Sequence, residues 1–414
     1  MPNSVQQVAP PEPTLLSQWL PLSILSAAHV VGSMAFIAVA TMAPLIREDL
    51  ALSATQFGFL VSVYFFTQAF LALPIGAAID KIGIRLALAI ANTTILAGTI
   101  LLSGANSQLT AMIAMSVLGI GYCFVNPSTS KAVFLMFPPR RRGTAMGIKQ
   151  SGVPIGGVAG AAIGGLAGTY DWRLLIALVG ILAIIIAVAG LIMPLTTTAP
   201  LAKPSQRPSL MSSIHIVLAD RNLTTFNFSV GLYQAAQFSF FSYITLFMRE
   251  AMLASQPLAA ACLAIGQVSS AAGRMSWGAI SDILFSGRRK PVLLIMTATA
   301  TSGLLLMSLM SPAWGTTAAV VLTAVLGLSV AGYVALIQTI VVETADPHFT
   351  ATSIAYNRLF VSLGASIGPP LFGAAIDMSG SYQAAWLVAA GLVFCALLLF
   401  GFFFTERRSA SAED

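Results

Sequence analysis

Apolar runs of about 20 residues, the length a helix needs to cross the hydrocarbon core of a bilayer, recur through this chain from end to end. They fall near 20–46, 54–78, 86–104, 109–136, 144–168 and 173–195, then near 222–248, 256–280, 291–311, 316–342, 352–376 and 383–405. Twelve such runs in 414 residues leave no water-soluble core able to hold them. Composition agrees: only 8% of the residues are charged, against roughly 25% in soluble domains. An all-α membrane protein with lipid as its solvent is expected. A polar, proline-bearing stretch separates the runs into two sets of six. The expected organisation is a disordered tail at 1–19, a bundle at 20–195, a linker at 196–221, a second bundle at 222–405 and a tail at 406–414.

Charge placement sets the expected orientation. With the N-terminus inside, cytoplasmic segments hold Lys81, Arg85, Arg140, Arg141, Arg142, Lys203, Arg207, Arg221, Arg288, Arg289, Lys290, Arg407 and Arg408, whereas the outer loops hold only Arg47, Arg173 and Arg249. This positive-inside bias puts both termini in the cytoplasm of a multi-pass inner (plasma) membrane protein. It also accounts for the net charge of +6 without a nucleic-acid partner. The first twenty residues contain no Lys or Arg, so they lack the basic flank of a signal peptide. Cys123, Cys262 and Cys395 lie scattered in apolar runs, a pattern that suits neither a disulfide framework nor a metal site. No cofactor motif is present, and a monomer is expected.

The two sets of runs repeat each other. Arg47-Glu48 matches Arg249-Glu250, and Gly76 and Asp80 match Gly278 and Asp282, all at an offset of 202. Leu118-Gly119 matches Leu326-Gly327 and Thr144 matches Thr352 at an offset of 208. A parallel duplication of six-helix units points to a transporter whose halves rock about a central site. After the second run the chain reads Gly76, Asp80, Lys81, Gly83 and Arg85; its later copy reads Gly278, Asp282, Gly287, Arg288 and Arg289. In this motif the chain resembles the major facilitator superfamily over about residues 20–405. That resemblance implies twelve transmembrane helices in two pseudo-symmetric bundles. Gly76 and Gly278 are expected to permit close helix approach at the cytoplasmic rim. Asp80 and Asp282 are expected to meet helix N-termini of the opposite half, forming a gate with Arg85 and Glu343; the alternative is that the motif sets only topology and loop shape. Gly156, Gly160, Gly164 and Gly168 recur every four residues in the fifth run and suit close helix packing in lipid.

Four basic residues remain inside apolar runs: Lys131, Lys149, Arg274 and Arg358, with His29 in the first run. All 14 acids fall in tails, loops or helix ends, Glu343 being the deepest. A cation-rich interior without countercharge calls for an anion from outside. Polar residues share faces with these cations. Gln267, Ser270 and Arg274 recur at i, i+3 and i+7; Asn126 and Ser130 are four apart; Gln234 and Gln237 are three apart; and the repeat aligns Lys149-Gln150 with Asn357-Arg358. The segment Gly273-Arg274, Trp277-Gly278, Ser281-Asp282 is similar to the eighth helix of the oxalate/formate exchanger and monocarboxylate transporter branches. The resemblance implies that Arg274 binds a carboxylate and that Arg358 is a second cation.

Each residue has a plainer reading. Arg274 or Arg358 pairs with Glu343, Lys149 and Lys131 snorkel to the surface, His29 is a satisfied core histidine, and Tyr64, Tyr122 and Tyr233 are packing. The favoured function is secondary transport of a small organic anion, a carboxylate above all, by proton symport or anion exchange. The alternative is a proton-coupled efflux pump for drugs or other amphiphiles; Met115, where such pumps often carry an arginine four residues before a glycine, weighs against it. An enzyme is not expected, since two of the three histidines, His215 and His348, are in loops. The absence of a glycine-rich phosphate loop argues against ATP coupling.

Overall fold

The computed structural model describes residues 15–194, 218–345 and 350–406. Most of the expected linker and of both tails, with His215 and His348, lies outside the described residues. The helices are α1 (Leu15–Thr41), α2 (Ala54–Ile82), α3 (Ile84–Ser103), α4 (Gln108–Met136), α5 (Pro139–Gly165), α6 (Trp172–Ile192), α7 (Arg221–Glu250), α8 (Gln256–Leu284), α9 (Arg289–Leu309), α10 (Pro312–Thr344), α11 (Thr350–Ser379) and α12 (Tyr382–Leu398). Ten of them are long and apolar enough to cross a membrane; α7 and α8 fall short. The reason for α7 is its load of Asn227, Ser229, Gln234, Gln237, Ser239, Ser242 and Thr245, every one buried against protein. Lipid never meets them.

Local chemistry sets the breaks. The first run does not continue to residue 46. It stops at Thr41, and a separate two-turn helix, Ala43–Asp49, begins with Pro44 in its first turn. A proline has no N–H to give to the preceding turn. Serines or aspartates cap the starts of α2, α4, α6, α7 and α12. Inside α10 the helix widens to a π-turn at Gly327–Ala331. Neighbouring side chains meet carbonyls of that turn: Trp277 Nε1 donates to Leu328 O (2.8 Å), Tyr233 Oη to Ser329 O (2.9 Å) and Ser270 Oγ to Ala331 O (3.0 Å). Unmet, such groups are costly in a dry interior.

The sequence repeat reappears as a packing repeat. A methyl at Gly156 or Gly160 of α5 would collide with the backbone of Val30 or Met34 on α1. A methyl at Gly364 or Gly368 of α11 would collide with Gly231 or Ala235 on α7. Each half is thus centred on one glycine-faced helix pair. Two further seams join the halves, α2 with α11 and α5 with α8.

Bonds between the first six helices and the last six cluster at one end. There Arg47 Nη1 meets Glu250 Oε1 at 2.8 Å, Gln256 Nε2 donates to Thr41 O (2.9 Å) and Gly164 O (3.1 Å), and Tyr243 Oη donates to Ala54 O (2.7 Å). Just inside this end, Phe238 of α7 packs on Phe65 of α2 and Phe36 of α1, with centroids 4.0 and 6.0 Å away. At the other end, which carries Asp80 and Asp282, no hydrogen bond or ion pair joins the halves among the described residues. A methyl at Gly76 or Gly278 would meet nothing within 4 Å. The close approach expected at these two glycines is therefore absent here, because the rims to which they belong stand apart.

Candidate functional site

Between the joined end and the open end, seven helices bring polar groups together. Lys149 of α5 is completely buried, and its Nζ donates to Asn126 Oδ1 (3.0 Å) and Ser130 Oγ (2.7 Å). Those acceptors lie one turn apart on α4, so they face the same way. The ammonium does not snorkel to the surface. Beside it, His29 of α1 is buried with Nε2 2.9 Å from Thr129 Oγ1. The Thr129 hydroxyl has one hydrogen and two carbonyls within reach, Val125 O at 2.8 Å and Asn126 O at 3.0 Å, and that hydrogen goes to one or the other. His29 Nε2 then donates, and Nδ1, which has no partner, is left as a buried acceptor.

The second half contributes two guanidinium groups. Among the described residues Arg274 of α8 has no ion-pair partner, and its buried Nε has no hydrogen-bond partner. Its electrostatic neighbours are Tyr122 of α4 and Tyr333 of α10. Arg358 of α11 is exposed and has neither hydrogen bond nor ion pair among the described residues; its charge lies within electrostatic range of His29, Tyr122, Cys123 and Lys149. Tyr122 is thus within electrostatic range of both arginines, its ring edge-on to His29 at 6.3 Å and seated against Gly32 of α1. Sequence reasoning set Tyr122 aside as packing. The signal available was its spacing: Tyr122, Asn126 and Ser130 recur every four residues on α4.

Amides complete the surroundings. Tyr333 Oη donates to Gln234 Oε1, Gln267 lies against Gly157 of α5, where a Cβ would come within 2.7 Å of it, and buried Gln237 has an unpartnered Oε1. Asn357 Nδ2 donates to Asn227 Oδ1 (2.9 Å), which places it in the α7–α11 seam. Gln150 is half-buried beside Lys149.

Carboxylates are engaged elsewhere. Glu343, weighed as a partner for Arg274 or Arg358, instead meets Arg289 Nη2 at 3.2 Å, and Arg289 Nη1 also holds Asp282 (2.5 Å). Asp80 meets Lys131 Nζ at 2.6 Å. Lys131, grouped in the sequence with the buried cations, is therefore neutralised near the open end. Asp80 and Asp282 take partners within their own halves, not helix N-termini opposite, because in this conformation the opposite half is out of reach. Arg85 is exposed. Among the described residues, Lys149, Arg274 and Arg358 have no carboxylate partner.

A bundle of spanning helices with a polar, cation-bearing interior, joined across one end only, is the architecture of a membrane transporter. The sequence model of the Major Facilitator Superfamily matches residues 25–369, and again 277–414; the chain belongs to that superfamily. Its curated relatives include the hexuronate transporter of Bacillus subtilis (strain 168), 26% identical over 384 residues that cover 88% of this chain and 90% of that protein. Monocarboxylate transporter 13 of Rattus norvegicus is 24% identical over 325 residues, 77% of this chain and 73% of that one. Among solved structures, a bacterial homologue of the human lysosomal transporter Spinster, in an inward-facing and occupied conformation, superposes with a TM-score of 0.82 at 16% identity, covering 96% of this chain and all of that one. This last likeness concerns the fold alone.

Proposed function

We propose that this transporter moves a small organic anion, a carboxylate, across the inner membrane by alternating access, as a secondary transporter with both termini in the cytoplasm. The observation that carries the proposal is the set of Lys149, Arg274 and Arg358, three cations of the membrane-spanning helices with no carboxylate partner among the described residues. Charge withdrawn from water without a countercharge is costly; Lys149 is buried and Arg274 partly so, while Arg358 is exposed. A carboxylate from solution removes that cost and accepts charge-assisted hydrogen bonds from the guanidinium groups. Relatives named for hexuronate and monocarboxylate transport support the same class of cargo.

In this reading the cargo enters from the open end and binds between Arg274 and Arg358. Lys149 adds positive potential, and Tyr122, Gln234 and Gln267 orient the rest of the molecule. Two coupling modes satisfy the charge balance, exchange of one anion for another and entry of a proton with the anion. Among the described residues no intramembrane carboxylate is placed to carry that proton, which leaves the cargo itself or His29. The test is uptake of radiolabelled carboxylates into proteoliposomes, with a drug-resistance assay in parallel. The proposal expects saturable carboxylate uptake that Arg274→Ala abolishes. Drug resistance without carboxylate uptake would favour the efflux reading.

A further inference from the structure

An α-helix leaves its first backbone N–H groups without partners inside the helix, and at the start of α2 they can be accounted for one by one. Ser53 is the N-cap. Its own N–H donates to Gln56 Oε1 (2.8 Å), and its hydroxyl accepts from Gln56 N (3.2 Å), a reciprocal capping box. The N–H groups of Ala54 and Thr55 remain. Both are taken by one carboxylate from the other half of the protein: Asp377, near the end of α11, accepts from Ala54 N at Oδ1 (3.0 Å) and from Thr55 N at Oδ2 (2.8 Å), with the Thr55 hydroxyl also on Oδ2 (2.5 Å). A negative charge at a helix N-terminus is favoured by the helix dipole as well as by the hydrogen bonds.

Close packing makes the reach possible. A Cβ at Gly58 of α2 would stand 2.6 Å from Pro369 O on α11, and Gly373 of α11 lies against the Ala54 carbonyl. The Tyr243 hydroxyl of α7 lies within hydrogen-bond reach of that same Ala54 oxygen (2.7 Å) and of Pro369 O (3.0 Å), its one hydrogen serving the two carbonyls. The partner seam, α5 with α8, is closed without charge: Ser255, the N-cap of α8, makes no side-chain cap bond, and the neutral Gln256 amide spans to Thr41 O and Gly164 O. The Arg47–Glu250 pair, with Tyr382 Oη on Glu250 (2.7 Å), lies at the same end. Asp377 is itself exposed, so water can replace its partners when the seam parts. Such a contact holds reversibly.

We propose that Asp377 is a gating residue of the transport cycle: by capping α2 from α11 it holds this end shut, and its release is the step that opens the site to that side. The proposal rests on the alternating-access reading, but its test uses no cargo, so it stands or falls separately from the identity of the anion. In a background without the native cysteines, spin labels at Asn106 and Gln383, both exposed near the joined end, report the separation of the halves by pulsed electron resonance. The native chain is expected to give mainly the short distance. Asp377→Asn and Asp377→Ala are expected to raise the ratio of long to short populations about tenfold, the scale of a lost charge–dipole cap, and Thr55→Val to raise it less. Gel filtration and the melting temperature identify folded variants, and if neither Asp377 variant folds, Thr55→Val decides. Distance distributions unchanged in the folded variants would overturn the proposal.

Discussion

Lys149 is the residue at which sequence and structure speak most directly to each other. A lysine inside an apolar run is legible from sequence as a buried charge, and the structure gives it two neutral acceptors, Asn126 and Ser130, but no carboxylate. Lys149→Gln keeps hydrogen-bonding capacity and removes the charge. Since hydrogen bonds to charged groups contribute about 1.5–3 kcal/mol, it is expected to weaken carboxylate affinity roughly ten- to hundredfold, read as a rise in KM for uptake at equal protein level. Tyr122→Phe keeps the ring on Gly32 and removes only the hydroxyl, which lies within electrostatic range of both arginines. A roughly two- to tenfold rise in KM is expected, the scale of one neutral hydrogen bond. Tyr122 escaped the sequence reading because a tyrosine in an apolar run suits packing and cavity walls alike. Lys131 misled it for a different reason: depth counted along one helix does not reveal that Asp80, on another helix, lies 2.6 Å away. Pairing between helices is tertiary information.

Elements were legible where hydrophobicity alone decides them and blurred where protein replaces lipid as the neighbour. The apolar runs anticipate the helices to within several residues, except that Pro44 breaks the first run and the π-turn interrupts the tenth. α7 and α8 fall below the threshold for a lone membrane span, and only the repeat places them as the counterparts of α1 and α2. The glycine stripe of α5 was legible as packing, but not its partner, α1. Gly160 gives a test at this scale. A Cβ there would stand 2.6 Å from Met34 O on α1, so Gly160→Val must push the helix pair apart. Overpacking costs about 1–3 kcal/mol, and a lowered melting temperature in detergent is expected. Gly391→Ala, where a methyl meets nothing within 4 Å, is expected to leave it unmoved.

For the whole molecule, the conformation is one in which cross-half bonds gather at the Arg47 end while Asp80 and Asp282 stay with partners in their own halves. Exposed ion pairs such as Asp80–Lys131 contribute little to stability, about 0–1 kcal/mol. Asp80→Asn is therefore expected to leave the melting temperature and anion affinity close to native while lowering the rate of uptake, if the motif serves the moving rims. The central claim concerns the interior, where positive groups lack a carboxylate partner among the described residues, and ligand binding tests it most directly. A ligand at about a hundred times its Kd stabilises the folded state by about 2.7 kcal/mol. The decisive measurement is the melting temperature of the purified protein across a panel of carboxylates, inorganic anions and uncharged or cationic amphiphiles, repeated with Arg274→Ala. The account predicts that at least one carboxylate raises the melting temperature and that the shift disappears in the variant. A shift produced by amphiphiles and by no anion, or one that survives the loss of Arg274, would contradict it.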